Sequence, residues 1–393
     1  MKRVIDDAVL TDIADAIREV NGKEVTYQET EMAEAIKESG YKIKDFSYFC
    51  NEGRRLNELE FLNTGDGTNF ENMFQFCRNL IFIPNLDTSS GINFCNMFSN
   101  CELLETIPEL DTSNGTDFER MFYECNALKT IPELDTSNGT DFNNMFHWCR
   151  TLETIPNMDT SSGIDFGHMF NGCFNLKSIQ GLNTKNGTNF EQMFDGCENL
   201  TSIPQLDTSK GTDFSYMFKN CRTLTSIPKI DVSNGTSFGQ MFEGCENLIS
   251  IPELNTSKGT DFYKMFYSCY NLKSIPKLDI GNENDTEKMF SFCTSLQDLY
   301  LYNIKYSITI GSGTSYGHLL TVDSLIHIIN ELHPTTSSKT LTMGSANVEK
   351  LNGLYCKVVD AIDKKLPMVL CESTDDGAML VSDYITGKGW TYR

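Results

Sequence analysis

The chain has 393 residues and a formal charge of −22, with 32 Lys and Arg against 54 Asp and Glu. That balance repels a phosphate backbone and excludes nucleic acid as a partner. No run of 18 apolar residues occurs, so no membrane-spanning helix and no membrane insertion is expected.

Residues 1–45 read as a helical N-terminal module. Leu10, Ile13, Ile17 and Val20 form one helical stripe with spacings of a coiled-coil seam, which makes them the candidate oligomerisation residues. Gly22 breaks this helix, and a second short one runs through Met32, Ala33, Ala35 and Ile36. Lys2 and Arg3 imitate the basic start of a signal peptide, but Asp6, Asp7, Asp12 and Asp15 interrupt any apolar region after it. No secretory signal is therefore expected, and folding is expected in a cytoplasm.

Residues 46–303 repeat one unit, L-x-x-I-P-x-L-D-T-S-x-G-T-D-F-x-x-M-F-x-x-C-x-x, at a period of 24 residues. Cysteines at 77, 101, 125, 149, 173, 197, 221, 245, 269 and 293 mark it, as do Met73 to Met289 in the same steps. In F-x-x-M-F-x-x-C the apolar residues fall at i, i+3, i+4 and i+7, which predicts a short helix in each rung. Thr68 with Glu71, Thr116 with Glu119 and Thr188 with Glu191 have capping-box spacing. The S-N-G-T segment predicts a turn whose glycine takes positive φ. I-P-x-L-D-T predicts a brief strand of a parallel stack. Ten such rungs span on the order of 50 Å at the usual strand spacing. The ten phased cysteines read as buried, reduced thiols acting as small hydrophobes. Cys50, Cys95, Cys356 and Cys371 form no C-x-x-C pair, so the sequence offers no zinc site.

Residues 304–393 read as an α/β capping region. Leu325, Ile328, Ile329 and Leu332 predict an amphipathic helix that Pro334 ends. Thr340 to Met343 predicts a strand, and Asn347 to Ile362 a further helix.

Over residues 56–300, M-F-x-x-C-x-x-L-x-x-I followed by L-D-T-S resembles the BspA-like leucine-rich repeats of bacterial surface proteins and tailed-phage proteins. The stretch before D-T-S is about two residues shorter than the usual family unit and contains proline, and Gln180–Gly181 replaces the proline step in the fifth rung. The segments L-T-D-I-A-D-A-I-R and E-M-A-E-A-I are similar to a helical N-terminal module of tail proteins from phages infecting Gram-positive bacteria. The C-terminal D-S-L-I-H-I-I-N, K-T-L-T-M-G-S-A-N and K-G-W-T are similar to the ends of such proteins. The resemblance implies an α/β repeat, a leucine-rich-repeat solenoid of about ten strand-turn-helix rungs with a helical N-terminal module and an α/β cap. It implies a virion tail component that recognises the host, folded in the host cytoplasm, with a cell-surface glycan or protein and other virion tail proteins as partners and homo-oligomers as an option. The alternative it leaves open is a bacterial cell-surface adhesin or secreted interaction protein, which is expected to carry a signal peptide and an anchor.

No catalytic constellation is found: G-x-S-x-G, G-x-x-x-x-G-K-[ST] and H-E-x-x-H are all missing from the sequence. No enzyme, cofactor or metal is expected. His147 and His168 fall at variable repeat positions and are expected to be exposed, while His327 and His333 lack metal-ligand spacing. Aspartates recur at Asp87, Asp111, Asp135 and Asp159, and at Asp117, Asp141 and Asp165. A glycosidase pair or a calcium ladder would use such residues, but their presence in nearly every rung favours turn chemistry. The N-G-T triplets at Asn114, Asn138, Asn186 and Asn234 read as turns rather than glycosylation sites. Recognition is expected in the variable positions, where Trp148, Tyr216, Tyr263, Tyr267 and Tyr270 make the candidate ligand-binding aromatic face. Tyr263, Tyr267 and Tyr270 are expected on one face of the ninth rung's helix.

Overall fold

The computed structural model describes residues 44–53, 64–282, 285–310, 320–334, 339–343, 345–352, 355–357, 369–371 and 379–392. The expected N-terminal module, with Leu10, Ile13, Ile17 and Val20, lies outside the described residues.

The repeat folds as a solenoid, but the segment read as a helix is a ladder of tandem turns. In Phe70–Cys77, the N–H groups of Met73, Gln75 and Cys77 donate three residues back, to the carbonyls of Phe70, Asn72 and Phe74, at 3.0–3.1 Å. The alternate N–H groups, of Phe70, Asn72, Phe74 and Phe76, donate to the next rung's Asn93, Cys95, Met97 and Ser99 carbonyls at 2.8–2.9 Å. Half the donors therefore close turns and half bind rung to rung. The third residue of each four-residue turn lies in the left-handed region, with φ 56° at Asn72 and 60° at Phe76. Residues one and four of each turn point inward and two and three outward, which yields the same i, i+3, i+4, i+7 pattern that a helix would. The spacing alone does not separate the two.

The inward residues are Phe, Met, Phe and Cys. In the third rung Phe118, Met121, Phe122, Cys125 and Leu128 are all fully buried, with Ile131 and Leu134 nearly so. Successive rungs bring equivalent phenylalanines into two continuous stacks. One contains Phe118 and Phe142, with ring centroids 5.8 Å apart and planes within 2°. The other contains Phe98, Phe122 and Phe146, at 5.6 and 5.4 Å. From Cys101 to Cys293 each phased thiol donates to the carbonyl of a phenylalanine in the preceding rung, as Cys125 does to Phe98 at 3.1 Å. Burial pushes the thiol pKa up, to about 12 at Cys125.

The expected capping boxes do not form. The Asp or Asn before the first phenylalanine makes an Asx turn instead: Asp117 Oδ1 accepts from the Glu119 N–H at 3.0 Å and Asp141 Oδ1 from Asn143 at 2.9 Å. The same residues pair rung to rung as single parallel bridges, from Asp45 through Asp117, Asp141 and Asp165 to Asp285. The other aspartate column does likewise, with Asp111 Oδ1 accepting from both the N–H and the hydroxyl of Ser113. In the S-N-G-T turn the glycine does not adopt positive φ. It is required by close approach: a Cβ on Gly139 would lie 2.6 Å from Phe142 Cζ and 2.9 Å from Phe118 Cε2. The asparagines of the N-G-T triplets are tied down, Asn138 Nδ2 donating to the Ser113 carbonyl at 2.8 Å.

The predicted strands are mostly missing. Proline lacks an N–H and weakens a ladder, though the fifth rung, with Gln180 in its place, makes only the single bridge Thr154–Ser178 on this side. A strand pair forms at the end of the repeat: β1 (Ser274–Asp279), which contains Pro276, pairs in parallel with β2 (Asp298–Tyr302), which has none. The register slips between Ile275 and Leu278, at the proline. Elsewhere this side is joined by single backbone bonds, such as that from the Lys177 N–H to the Glu153 carbonyl at 3.1 Å, and by side chains. Thr112 Oγ1 donates to the Asp135 carbonyl at 2.8 Å, and ion pairs such as Lys129–Glu105 run between rungs.

Beyond β2 the cap begins. β3 (Ile308–Ile310), β4 (Lys339–Met343) and β8 (Trp390–Tyr392) form a parallel sheet in the order β3-β4-β8. Helix α1 (Val322–Glu331) buries Leu325, Ile328 and Ile329, as its spacing predicts, and Thr321 caps its start. It is fastened to the last rung by Ser324 Oγ, which accepts from the Leu299 N–H at 3.0 Å, and by His327 Nε2 on the Leu301 carbonyl at 2.8 Å. Trp390 is fully buried and donates its indole N–H to the His333 carbonyl. Lys388 Nζ donates to the Ile329 and Asn330 carbonyls at the end of α1, with its pKa lowered by burial to about 8. The helix expected over Asn347 to Ile362 is not continuous: α2 (Ser345–Asn352) is followed by β5 (Tyr355–Lys357), and 358–362 lie outside the described residues. β5 pairs antiparallel with β6 (Val369–Cys371) and β7 (Met379–Leu380), and α3 (Val381–Gly387) leads into β8.

Candidate ligand-binding face

The outward face of the solenoid consists of residues two and three of each turn, at 71, 72, 75 and 76 and every 24 residues beyond. Inward positions hold nearly constant residue types while these four change from rung to rung. This face is where the repeat is free to carry information.

The structure divides the predicted aromatic residues into separate groups. Trp148 stands at the position equivalent to Phe76 in the fourth rung and is 38% exposed. Tyr216 lies three rungs on, half-buried, with Lys219 Nζ 5.0 Å from its ring centroid. Tyr263 and Tyr267 share Lys264, whose Nζ lies 5.2 and 5.0 Å from their rings. Tyr267 meets Phe292 edge-on at 5.3 Å. Tyr270 does not join them. With turns in place of a helix, it stands beyond the outward pair of its turn, at the position equivalent to Arg78, and is 41% exposed. The face is also less exposed than expected, since Tyr216, Tyr263 and Tyr267 are half-buried.

Around Trp148 the structure assembles a cluster that the sequence reading missed. Tyr123 and His147 have ring centroids 4.9 Å apart, His147 and His168 stack at 5.9 Å, and His147 lies 6.1 Å from Trp148. The guanidinium of Arg150 lies 4.6 Å from the Trp148 ring centroid and 5.9 Å from that of Phe174. His147 is half-buried rather than exposed. Its Nδ1–H donates to Asn144 Oδ1 at 2.6 Å. Burial lowers its pKa to about 4, aided by His168 and Arg120. His168 is lowered in the same direction by burial, with Glu191 and Asp165 opposing. Further along, burial raises Asp195 to about 6 against the pull of Lys219. The signal that finds this cluster is column adjacency: residues near 24 apart come together, as do Arg150 with Phe174 and His147 with His168.

A model of the family described as "Mycoplasma protein of unknown function, DUF285" matches residues 44–154, 140–249 and 199–303. These matches span well over half of the chain. The chain belongs to the DUF285 family. A search of curated proteins finds no match. Among solved structures, the chain is similar to one titled "Crystal structure of TLR13-ssRNA13 complex", with 15% identity, 73% of this chain and 41% of that chain covered, and a TM-score of 0.25. The chain thus spans less than half the length of that relative.

The extended side of the DUF285 repeat carries a shallow groove of about 620 Å³ across rungs five to seven, lined in part by Asn183, Gln205, Asp207, Ser209, Lys229 and Asp231. It follows the irregular Gln180–Gly181 step, where Gly181 has φ +66° and packs on Asn157. Its carboxylates are engaged locally: Asp207 Oδ1 accepts from the N–H and hydroxyl of Ser209, which lowers its pKa. Among the described residues no group of three His, Cys, Asp or Glu is arranged to hold a metal ion.

Proposed function

We propose that this DUF285 solenoid is a non-catalytic binding protein that displays its outward turn face to a host-surface glycan or protein, as a host-recognition component of a phage tail. The observation that carries the binding role is the division of the repeat into a constant core and a variable outward face bearing the Trp148 cluster and the Tyr263–Tyr267 pair. Rigid, partly exposed aromatic rings suit recognition because they contribute contact area with little side-chain entropy to lose. The tail role rests on the resemblance of both chain ends to tail proteins. Cell-binding of the labelled full-length protein tests the first part: Trp148→Ala combined with Tyr267→Ala is expected to lower binding at least tenfold with an unchanged melting temperature. Undiminished binding would place recognition elsewhere. Antibody labelling of purified virions tests the tail role, with labelled tails expected.

The family's description as a Mycoplasma protein favours a second reading, a bacterial cell-surface adhesin. Labelling confined to the bacterial surface, with virions unlabelled, would select it.

A further inference from the structure

Arg150 is unusual within its own column. The residues 24 apart through it are Arg78, Glu102, Asn126, Arg150, Phe174, Glu198, Arg222 and Glu246. Arg78 pairs with Glu102 at 3.4 Å, and Arg222 pairs with Glu198 at 3.0 Å and Glu246 at 3.6 Å. The column neighbours of Arg150 are uncharged, Asn126 and Phe174, and among the described residues no carboxylate pairs with it. On a chain of charge −22 this exposed cation is held by aromatic faces, at 4.6 Å from the Trp148 ring and 5.9 Å from that of Phe174. The nearest equivalent of Trp148 in the preceding rung, Glu124, accepts from Asn100 Nδ2 at 3.0 Å.

The surroundings are shaped as well as charged. The position of Trp148 becomes Gly172 and then Gly196 in the next two rungs. A Cβ on Gly172 would come within 2.5 Å of Trp148 Cδ1 and 2.9 Å of Nε1, and one on Gly196 would lie 3.5 Å from Phe174 Cε1. Gly172 therefore lets the Trp148 ring pack on the backbone of the next rung, and Gly196 leaves no side chain beside Phe174. Trp148 is a left-handed residue, φ 59°, in a column where glycine and asparagine relieve that strain elsewhere. Its indole N–H donates to no group among the described residues.

We infer that Trp148, Arg150 and Phe174, beside the bare backbone at Gly196, form a binding site for an anionic pyranose, a sugar ring bearing a carboxylate or a phosphate. The guanidinium fork matches two oxygens of either anion. The indole N–H is a further donor, and the ring faces suit the C–H face of a sugar. The overall negative charge is no bar, because fields from exposed charges are screened beyond about 8 Å at physiological salt. The inference rests on the reading of the outward face as a recognition surface and names its ligand class.

The chain has two tryptophans, and Trp390 is fully buried, so ligand-induced change in tryptophan emission reports on Trp148. Full-length protein titrated with glucuronate, glucose 6-phosphate, glucose and inorganic phosphate is expected to give a saturable change with at least one anionic sugar. Glucose and inorganic phosphate are expected to bind at least tenfold more weakly. Glucuronate alone binding assigns the carboxylate, glucose 6-phosphate alone the phosphate. Arg150→Gln is expected to weaken the response at least tenfold with an unchanged melting temperature, and Arg150→Lys to restore only part of it. Equal binding of glucose, phosphate alone binding as well as the sugars, an unaffected Arg150→Gln variant, or no response to either anionic sugar overturns the inference. Cell binding that survives Arg150→Gln while the sugar response is lost leaves the recognition reading intact and removes this site from it.

Discussion

At Gly139 the backbone passes so close to two stacked phenylalanines that one methyl group decides the fit. A Cβ there would sit 2.6 Å from Phe142 Cζ and 2.9 Å from Phe118 Cε2, both in fully buried rings that have no room to retreat. Gly139→Ala is expected to destabilise by roughly 1–3 kcal/mol, the usual cost of overpacking. Gly387, with nothing within 4 Å of its added Cβ, is the control, and Gly387→Ala should shift the urea midpoint little or upward. His147 makes a second residue-scale case. Its folded pKa, about 4, lies below the ordinary value of 6.5, so the unfolded chain binds more protons between them. Stability is therefore lost as pH falls from 6.5 towards 4. Asp195 acts the other way: its folded pKa of about 6 exceeds the ordinary 3.8, so the folded state gains stability as pH falls through that window. Melting temperatures measured from pH 7 to pH 4 should show a shallower acid loss in His147→Gln and a steeper one in Asp195→Asn.

The tandem turn is the element that distinguishes this repeat, and its cost lies in the third residue of each turn. A non-glycine residue in the left-handed region is disfavoured by roughly 1–2 kcal/mol. Gly172, Gly196 and Gly244 occupy such positions without strain, whereas Phe76, at φ 60° and 40% exposed, does not. Phe76→Gly is expected to stabilise by about 0.5–1 kcal/mol after the entropy that glycine adds to the unfolded chain. Gln75→Gly, one residue earlier in the same turn and not at positive φ, is expected to destabilise, and equal signs for the two would contradict the turn geometry. This element also shows where sequence reading stops. Period, core phase, buried cysteines, Asx aspartates and the helix at Val322–Glu331 follow from spacing and residue type alone. The choice between helix and turns does not, because Phe118, Met121, Phe122 and Cys125 face inward in either. Proline in the extended segment weakens pairing but does not decide it alone, since the rung with Gln180 in place of proline also forms no strand pair with its neighbours. The cluster around Trp148 is half legible: Trp148 stands out by type, while Arg150 and Phe174 gain meaning once residues 24 apart are known to come together.

At the scale of the molecule, a solenoid of equivalent rungs makes length and phase separable. Each rung contacts its neighbours through the same bonds, alternate turn N–H groups to the rung above and thiols to the phenylalanine carbonyls of the rung below, and nothing in the ladder requires a particular number of rungs. Removing residues 217–240 would join Tyr216 to Met241, replacing one Met-Phe-x-x-Cys start with the next in identical phase. That variant is expected to fold, with an unchanged circular dichroism spectrum per residue and a modestly lower melting temperature. Removing residues 217–228 instead would set core positions against outward ones, breaking both phenylalanine stacks, and is expected to unfold or aggregate. Because Trp148, Arg150 and Phe174 lie in rungs four and five, the 24-residue deletion should also leave the response to an anionic sugar unchanged. It moves the Tyr263–Tyr267 pair closer to them by one rung, roughly 5 Å at the usual spacing between paired backbones. Cell binding that survives the deletion would mean that the two aromatic groups act independently. Cell binding lost while the sugar response persists would mean that one extended ligand bridges them, and that the spacing of the rungs is itself part of the recognition.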